Sequence, residues 1–248
     1  MGDTNAGKKE RLDKWIASQG SWSRKQVKDL VRTGQIIING TAATAADMKI
    51  SEADEIVVSG KALRLQRHIY IMMNKPAGVV SATEDKRDKT VMELLSEELR
   101  RPGLFPAGRL DKDTEGFLLL TDDGAFAHNI LAPGKHVPKT YYVRVENTGA
   151  EAGRTPQQLI DEFAVGVSLG QGEASTPAEL VWLPSREGQE AELTIYEGIF
   201  HQVKRMFMRF GFRVTYLRRI RIGKLNLDEN LPLGAARVIM HNELLEIC

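Results

Sequence analysis

Cysteine is almost absent from this chain. Among its 248 residues only Cys248 is a cysteine, so neither an intrachain disulfide nor a zinc site made of cysteines can form. This composition is typical of the reducing cytoplasm, and we predict that location. The first residues lack the apolar core of a signal peptide, and no apolar run approaches the roughly twenty residues that cross a bilayer. We therefore expect no association with membranes.

Several functional signatures are missing as well. The sequence has no phosphate-binding loop of the form Gly-x-x-x-x-Gly-Lys-Ser/Thr, no dinucleotide fingerprint, and no histidines at the close spacing of metal ligands. Four aspartates do lie within thirteen residues, from Asp111 to Asp123, and a metal-dependent nuclease holds Mg²⁺ with such carboxylates. However, Asp122-Asp123-Gly124 is typical of an ordinary turn, so we expect neither a metal nor a cofactor.

Charge is nearly balanced overall but not along the chain. The formal net charge is only +1. Residues 8–32 nevertheless carry eight cations against three anions, and residues 201–224 carry eight cations and no anion. Two cationic segments in a nearly neutral chain favour a polyanionic partner such as nucleic acid.

Local patterns predict a small first domain. Apolar residues at helical spacing precede Gly20, and Ser23 is a candidate N-cap for a second helix that ends at Gly34. Residues 36–38 and 56–58 read as strands, the first leading into an Asn39-Gly40 turn. We predict a disordered segment over residues 1–10, this compact module over 11–60 and a linker over 61–68.

The remainder, residues 69–248, reads as a larger second domain. Runs of strands are interrupted by helices, without the regular alternation of a doubly wound fold. This arrangement predicts an α+β domain with a mostly antiparallel mixed sheet. We expect the chain to act as a monomer.

Three motifs follow one another in the second domain. The first is Gly108-Arg109-Leu110-Asp111, which ends at Gly116 before an apolar strand; the second is Lys139-Thr140-Tyr141; the third is His201-Gln-Val-Lys-Arg-Met-Phe207. Their order and separation resemble those of the RsuA-type pseudouridine synthases, which isomerise single uridines in ribosomal RNA. The resemblance extends from about Arg11 to about Leu245.

The resemblance implies a role for each motif. Asp111 matches the catalytic aspartate, Tyr141 the tyrosine that stacks on the target uracil, and Lys204 the cation that pairs with the aspartate. Arg109 matches the arginine that fills the space left by the flipped nucleotide. Arg205 should project about 100° away from Lys204 and contact RNA phosphate, although these two residues could exchange roles.

Converting uridine to pseudouridine breaks the bond from C1′ to N1, turns the base and joins C1′ to C5. The reaction needs a carboxylate near the sugar, a surface on which the base stacks, and exclusion of water. Whether the carboxylate attacks the sugar, attacks the base or removes a sugar proton is left open by the sequence. The strand period places Tyr142 opposite Tyr141, as a core candidate, and Phe207 is a core residue or part of the base pocket.

The N-terminal module resembles the small RNA-binding domain named after the fourth small-subunit ribosomal protein. The resemblance implies phosphate contacts by Arg11, Lys14, Ser23, Arg24, Lys25 and Arg32. The partner would be ribosomal RNA or a pre-ribosomal particle. The form of the third motif favours the small subunit, 16S rRNA, over the alternative of large-subunit 23S rRNA. A non-catalytic ribosome-assembly factor is a further alternative, but binding alone would not require the acid, the tyrosine and the lysine together.

Overall fold

The computed structural model describes residues 9–63, 66–135, 137–149, 155–170, 172–183 and 189–247. The chain divides into two compact units. The N-terminal unit comprises the chain up to Ile69 together with Ser96–Leu104, and the C-terminal unit comprises Tyr70–Leu95 and Phe105–Cys248. Most of the predicted disordered segment, residues 1–8, lies outside the described residues.

The N-terminal unit combines two helices with short strands. Its elements are β1 (Glu10–Arg11), α1 (Leu12–Ser18), α2 (Arg24–Arg32), β2 (Ile36–Ile38), β3 (Thr41–Ala42), β4 (Lys49–Ile50), β5 (Ile56–Val58) and β6 (Lys61–Leu63). The four-stranded sheet has the order β3-β2-β5-β6, and β1 pairs with β4. The apolar faces of both helices and the strands bury one core, which includes Leu12, Trp15, Val27 and Ile56.

Local chemistry explains the boundaries of this unit. Ser23 caps α2 as predicted: its side chain accepts a hydrogen bond from the Gln26 amide, while the Gln26 side chain accepts one from the Ser23 amide. The Asn39-Gly40 turn has positive φ at both residues, 49° and 80°, which a two-residue hairpin turn requires. The predicted linker is wrong at its start, because Lys61–Leu63 pair with Ile56–Val58 as β6.

The C-terminal unit contains a nine-stranded sheet. Its elements are β7 (Tyr70–Lys75), β8 (Phe105–Pro106), β9 (Glu115–Thr121), α3 (Gly124–Leu131), β10 (Lys139–Asn147), α4 (Pro156–Val165), β11 (Ser168–Gly170), β12 (Glu173–Ala174), β13 (Glu179–Leu183), β14 (Gln189–Ile195), α5 (Gln202–Met208), β15 (Phe212–Ile222), β16 (Leu225–Asn226), β17 (Ala236–Val238) and α6 (His241–Leu244). The main path of the sheet is β13-β14-β10-β15-β9-β7-β17.

The sheet is antiparallel except where β9 meets β15. At this junction Gly116 lies against the β15 backbone, and a Cβ there would stand 2.3 Å from the Arg219 carbonyl oxygen. Only glycine permits this approach. The α+β prediction with a mostly antiparallel sheet is confirmed.

One prediction about local structure in this unit needs correction. Tyr142 faces away from Tyr141 but is only half-buried, with its ring against Tyr216. Phe207 belongs to the core, where it packs against Phe163 and Trp182.

Candidate active site

The loop that carries Asp111 is held from beneath by a buried lysine. The Lys75 side chain, at the end of β7, donates hydrogen bonds to the carbonyl oxygens of Asp111 at 3.0 Å and Thr114 at 2.8 Å. Burial lowers the pKa of Lys75 to about 8. Ser81 holds Leu110, the residue before Asp111. Its hydroxyl donates a hydrogen bond to the Leu110 carbonyl and accepts one from the Leu110 amide. The loop backbone is therefore anchored on both sides of Asp111.

Lys204 forms an ion pair with Asp111. Its ammonium lies 3.2 Å from Asp111 Oδ2 and 2.6 Å from Asp113 Oδ1. Burial acts to lower the pKa of Lys204, but hydrogen bonds to the two carboxylates outweigh it and raise that pKa. The same contact holds the pKa of Asp113 below its ordinary value despite partial burial. Lys204 is therefore a persistent cation beside the Asp111 carboxylate.

The residue before α5 is a histidine that approaches the same carboxylate. His201 precedes the helix in the left-handed conformation, with φ of 50°. Its ring stacks on the exposed Phe200 at 3.8 Å between centroids, and Nε2 lies 3.6 Å from Asp111 Oδ1. This position of His201 was not predicted.

Tyr141 lies on β10, and its partner on the neighbouring strand β15 is Arg219. Tyr141 is 9% exposed. The Arg219 side chain is 4% exposed, and it donates to the Phe117 carbonyl at 2.7 Å and to the Tyr141 hydroxyl at 3.5 Å. The tyrosine therefore rests against a buried guanidinium.

A cavity of about 540 Å³ joins these side chains. Asp111, Tyr141 and Lys204 all line it, and so do Arg109 and the buried Lys139. This volume suits a nucleotide-sized ligand. Arg109 is exposed and makes no salt bridge within the described part of the chain, so its guanidinium is available to a ligand.

Arg205, predicted to contact RNA phosphate, is engaged by groups of the protein itself. It turns away from Lys204 as expected for helical neighbours, but its guanidinium pairs with Glu173 at 2.7 Å and donates to the carbonyls of Leu169 and Phe200. These contacts compete with an RNA phosphate. Lys204, and not Arg205, is the residue beside Asp111.

The predicted phosphate contacts of the N-terminal unit have different surroundings. Arg11 and Arg24 both bind the buried Asp13, at 3.1 and 2.9 Å. Lys14 pairs with Glu10, Arg32 pairs with Asp29, and Ser23 is occupied as the α2 cap. Lys25 is exposed and has no salt bridge to a described residue.

The described residues offer no group of three or more His, Cys, Asp or Glu side chains that could hold a metal ion. Within the same part of the chain, no helix has the length and apolar character needed to cross a membrane. The cavity instead gathers a carboxylate paired with a lysine, a second carboxylate, one tyrosine and three further cations, which are Arg109, Lys139 and Arg219.

Comparison with known proteins decides what this arrangement is. A family model described as RNA pseudouridylate synthase matches residues 69–209, and one described as S4 domain matches residues 10–56. The chain belongs to the RNA pseudouridylate synthase family. It is therefore an RNA pseudouridine synthase with an S4 domain at its N-terminus, and the prediction of that enzyme class is confirmed.

Full-length relatives support the assignment. An uncharacterized RNA pseudouridine synthase, YtzG, of Bacillus subtilis is 43% identical over 94% of this chain and 96% of its own length. The ribosomal small subunit pseudouridine synthase A of Vibrio cholerae is 36% identical over 96% and 99%. The ribosomal large subunit pseudouridine synthase B of Bacillus subtilis is 34% identical over 95% and 94%. A crystal structure of a pseudouridylate synthase superposes with a TM-score of 0.64 at 35% identity, covering 96% of this chain and all of that one.

Proposed function

We propose that this synthase isomerises one uridine in 16S ribosomal RNA, with Asp111 as the reacting carboxylate. Tyr141 stacks on the flipped uracil, Lys204 pairs with the Asp111 carboxylate, and Arg109 occupies the place of the flipped nucleotide. The observation that carries this proposal is the 3.2 Å contact between Lys204 and Asp111 at the mouth of a cavity that Tyr141 also lines. The Lys204 ammonium thus places a positive charge beside the carboxylate that is to react.

The test is pseudouridine formation by the purified protein on ribosomal RNA from a strain lacking the gene, without added metal or cofactor. We expect Asp111→Asn to abolish the reaction while RNA binding survives. EDTA should not inhibit it. Full turnover by Asp111→Asn would contradict the role of this aspartate.

The subunit is a separate part of the proposal. The form of the His201–Phe207 motif supports 16S rRNA, as does the similarity to the small-subunit enzyme of Vibrio cholerae. The large-subunit enzyme of Bacillus subtilis is nearly as similar, so 23S rRNA is the second candidate. A pseudouridine map of all ribosomal RNA with and without the gene decides between them. Loss of a single signal in 23S rRNA would overturn the 16S assignment and leave the chemistry intact.

We also propose that the protein acts in the cytoplasm as a monomer, on ribosomal RNA or a pre-ribosomal particle. Cell fractionation and size-exclusion chromatography with light scattering test these two points. A stable dimer would contradict the second.

A further inference from the structure

Two buried cations line the cavity together with Tyr141, and neither has a role in the proposed reaction. Lys139 is 8% exposed and Arg219 is 4% exposed. Lys139 lies two residues before Tyr141 on β10, hence on the same face of the strand, and Arg219 is the partner of Tyr141 on β15. Both line the cavity.

Neither cation has a carboxylate partner among the described residues. The Lys139 ammonium donates to the Ile130 carbonyl at 3.3 Å, and one terminal nitrogen of Arg219 is buried without any acceptor. The acids of the cavity wall are engaged elsewhere. Asp111 faces Lys204, and Glu197 accepts hydrogen bonds from the Gln202 side chain and the Thr176 amide.

Burying Lys139 and Arg219 together without a bound anion is energetically unfavourable. Burial, followed by the charge of Arg219, lowers the pKa of Lys139 to about 8. At neutral pH Lys139 is still mostly protonated, so two like charges lie close together in a site of low dielectric. Such a site favours an anion.

The position of the two cations beside Tyr141 indicates which anion they bind. The Arg219 guanidinium carbon lies 5.9 Å from the centroid of the Tyr141 ring, which is the proposed stacking surface for the base. A uracil stacked on that ring lies beside the Arg219 guanidinium and presents two carbonyl oxygens to the cations. The ligand is therefore the base.

We propose that Lys139 and Arg219 form an anion-binding subsite that stabilises the negative charge on uracil while the base is detached from the sugar. This inference rests on the proposed function. When the C1′–N1 bond breaks, its electron pair stays with the base, which becomes an anion, and C1′ is left electron-deficient beside the Asp111 carboxylate. The base then forms the C1′–C5 bond, C5 loses its proton, and N1 gains one, so the product is an isomer of the substrate.

The test measures single-turnover tritium release from ribosomal RNA labelled with [5-³H]uridine, because C5 loses its hydrogen as the new bond forms. We expect Lys139→Met to slow turnover on the order of 10²-fold and to leave the dissociation constant for RNA within about twofold, because the subsite acts after binding. Lys139→Arg, which keeps the charge, should recover most of the rate. Arg221→Met is the matched control, since Arg221 lies on the same strand as Arg219, donates to Thr140 and does not line the cavity.

The conservative variant separates charge stabilisation from a structural role, because Lys139→Arg keeps the charge and Lys139→Met removes it. Turnover that is as low in a folded Lys139→Arg variant as in Lys139→Met, or wild-type turnover by Lys139→Met, would overturn the subsite. If Lys139→Met does not fold, Lys139→Gln takes its place under the same criteria. If the wild-type protein releases no tritium, the proposed function fails instead.

Discussion

Lys204 contacts two carboxylates, and only one of them faces the cavity. Asp113 is largely exposed, whereas Asp111 lines the pocket. We expect Lys204→Met to reduce turnover by at least about 10²-fold, because the Asp111 carboxylate loses the positively charged group that pairs with it. Lys204→Arg should retain part of the activity, since the cation is kept. Tritium release measures both variants.

Arg205 provides the comparison for Lys204. Arg205→Met removes an ion pair with Glu173 and two bonds to carbonyl oxygens. We expect it to lower the free energy of unfolding by about 1 kcal/mol and to leave turnover largely unchanged. Urea titration and tritium release measure the two effects. Severe loss of turnover in Arg205→Met, with an active Lys204→Met, would mean that these neighbours have exchanged roles.

Sequence patterns located the reacting residues better than the residues behind them. Asp111, Tyr141 and Lys204 each stand in a motif of recognisable form, and the structure brings them to one cavity. Arg219 was missed because it stands in a cationic run that resembles solvated surface. The strand period was the available signal, since it sends Arg218 and Arg219 to opposite faces.

At the scale of elements, the Asp111 loop depends on the end of β7. We expect Lys75→Met to destabilise the protein by about 1–3 kcal/mol, because buried carbonyl oxygens lose their donor. Turnover should also fall, since the loop no longer fixes the Asp111 backbone. Thermal unfolding and tritium release test this together. Unchanged stability would show that water replaces the ammonium.

The two helices of the N-terminal unit are joined by an ion-pair network that responds to pH. Burial acts to raise the pKa of Asp13, but the hydrogen bonds from Arg11 and Arg24 lower it from 3.8 to about 2. A lowered pKa in the folded state stabilises the protein above the unfolded value. This contribution is therefore complete above about pH 4 and is lost as the pH falls towards 2.

The Asp13→Asn variant tests that dependence. We expect it to be less stable than the wild type at neutral pH, and the difference between the two proteins should shrink as the pH falls from about 4 to about 2. Urea titration at several pH values gives the comparison. A constant difference over this range would contradict the assigned pKa.

Element boundaries were predicted well only where the signal is local. The Ser23 cap begins α2 as expected, and Thr155 begins α4 through the same kind of cap. Strands of two or three residues, such as β3, β6 and β8, are too short to show an alternating pattern. Long-range pairing defines them instead, so Lys61–Leu63 resembled a linker in the sequence.

For the whole molecule, the two cationic segments are not two uniform surfaces. In the second segment Lys204, Arg205 and Arg213 pair with acids, and Arg219 is buried. In the described part of the first segment, residues 9–32, four of the seven cations pair with acids. Lys25 and Lys28 are exposed on α2, one helical turn apart, without a salt bridge to a described residue. Unpaired cations can neutralise phosphates without first breaking an ion pair.

We therefore expect Lys25→Ala combined with Lys28→Ala to weaken binding to ribosomal RNA of any sequence. The slope of log affinity against log salt concentration should become shallower by about 0.7–0.9 for each phosphate that is no longer neutralised. Filter binding between about 50 mM and 200 mM salt measures this slope. The matched control is Lys14→Ala combined with Arg32→Ala, which removes two cations already paired with acids. This control should change the slope less, because a paired cation releases fewer counterions from RNA. Equal changes in both double variants would show that ion pairing within the unit does not select the RNA contacts.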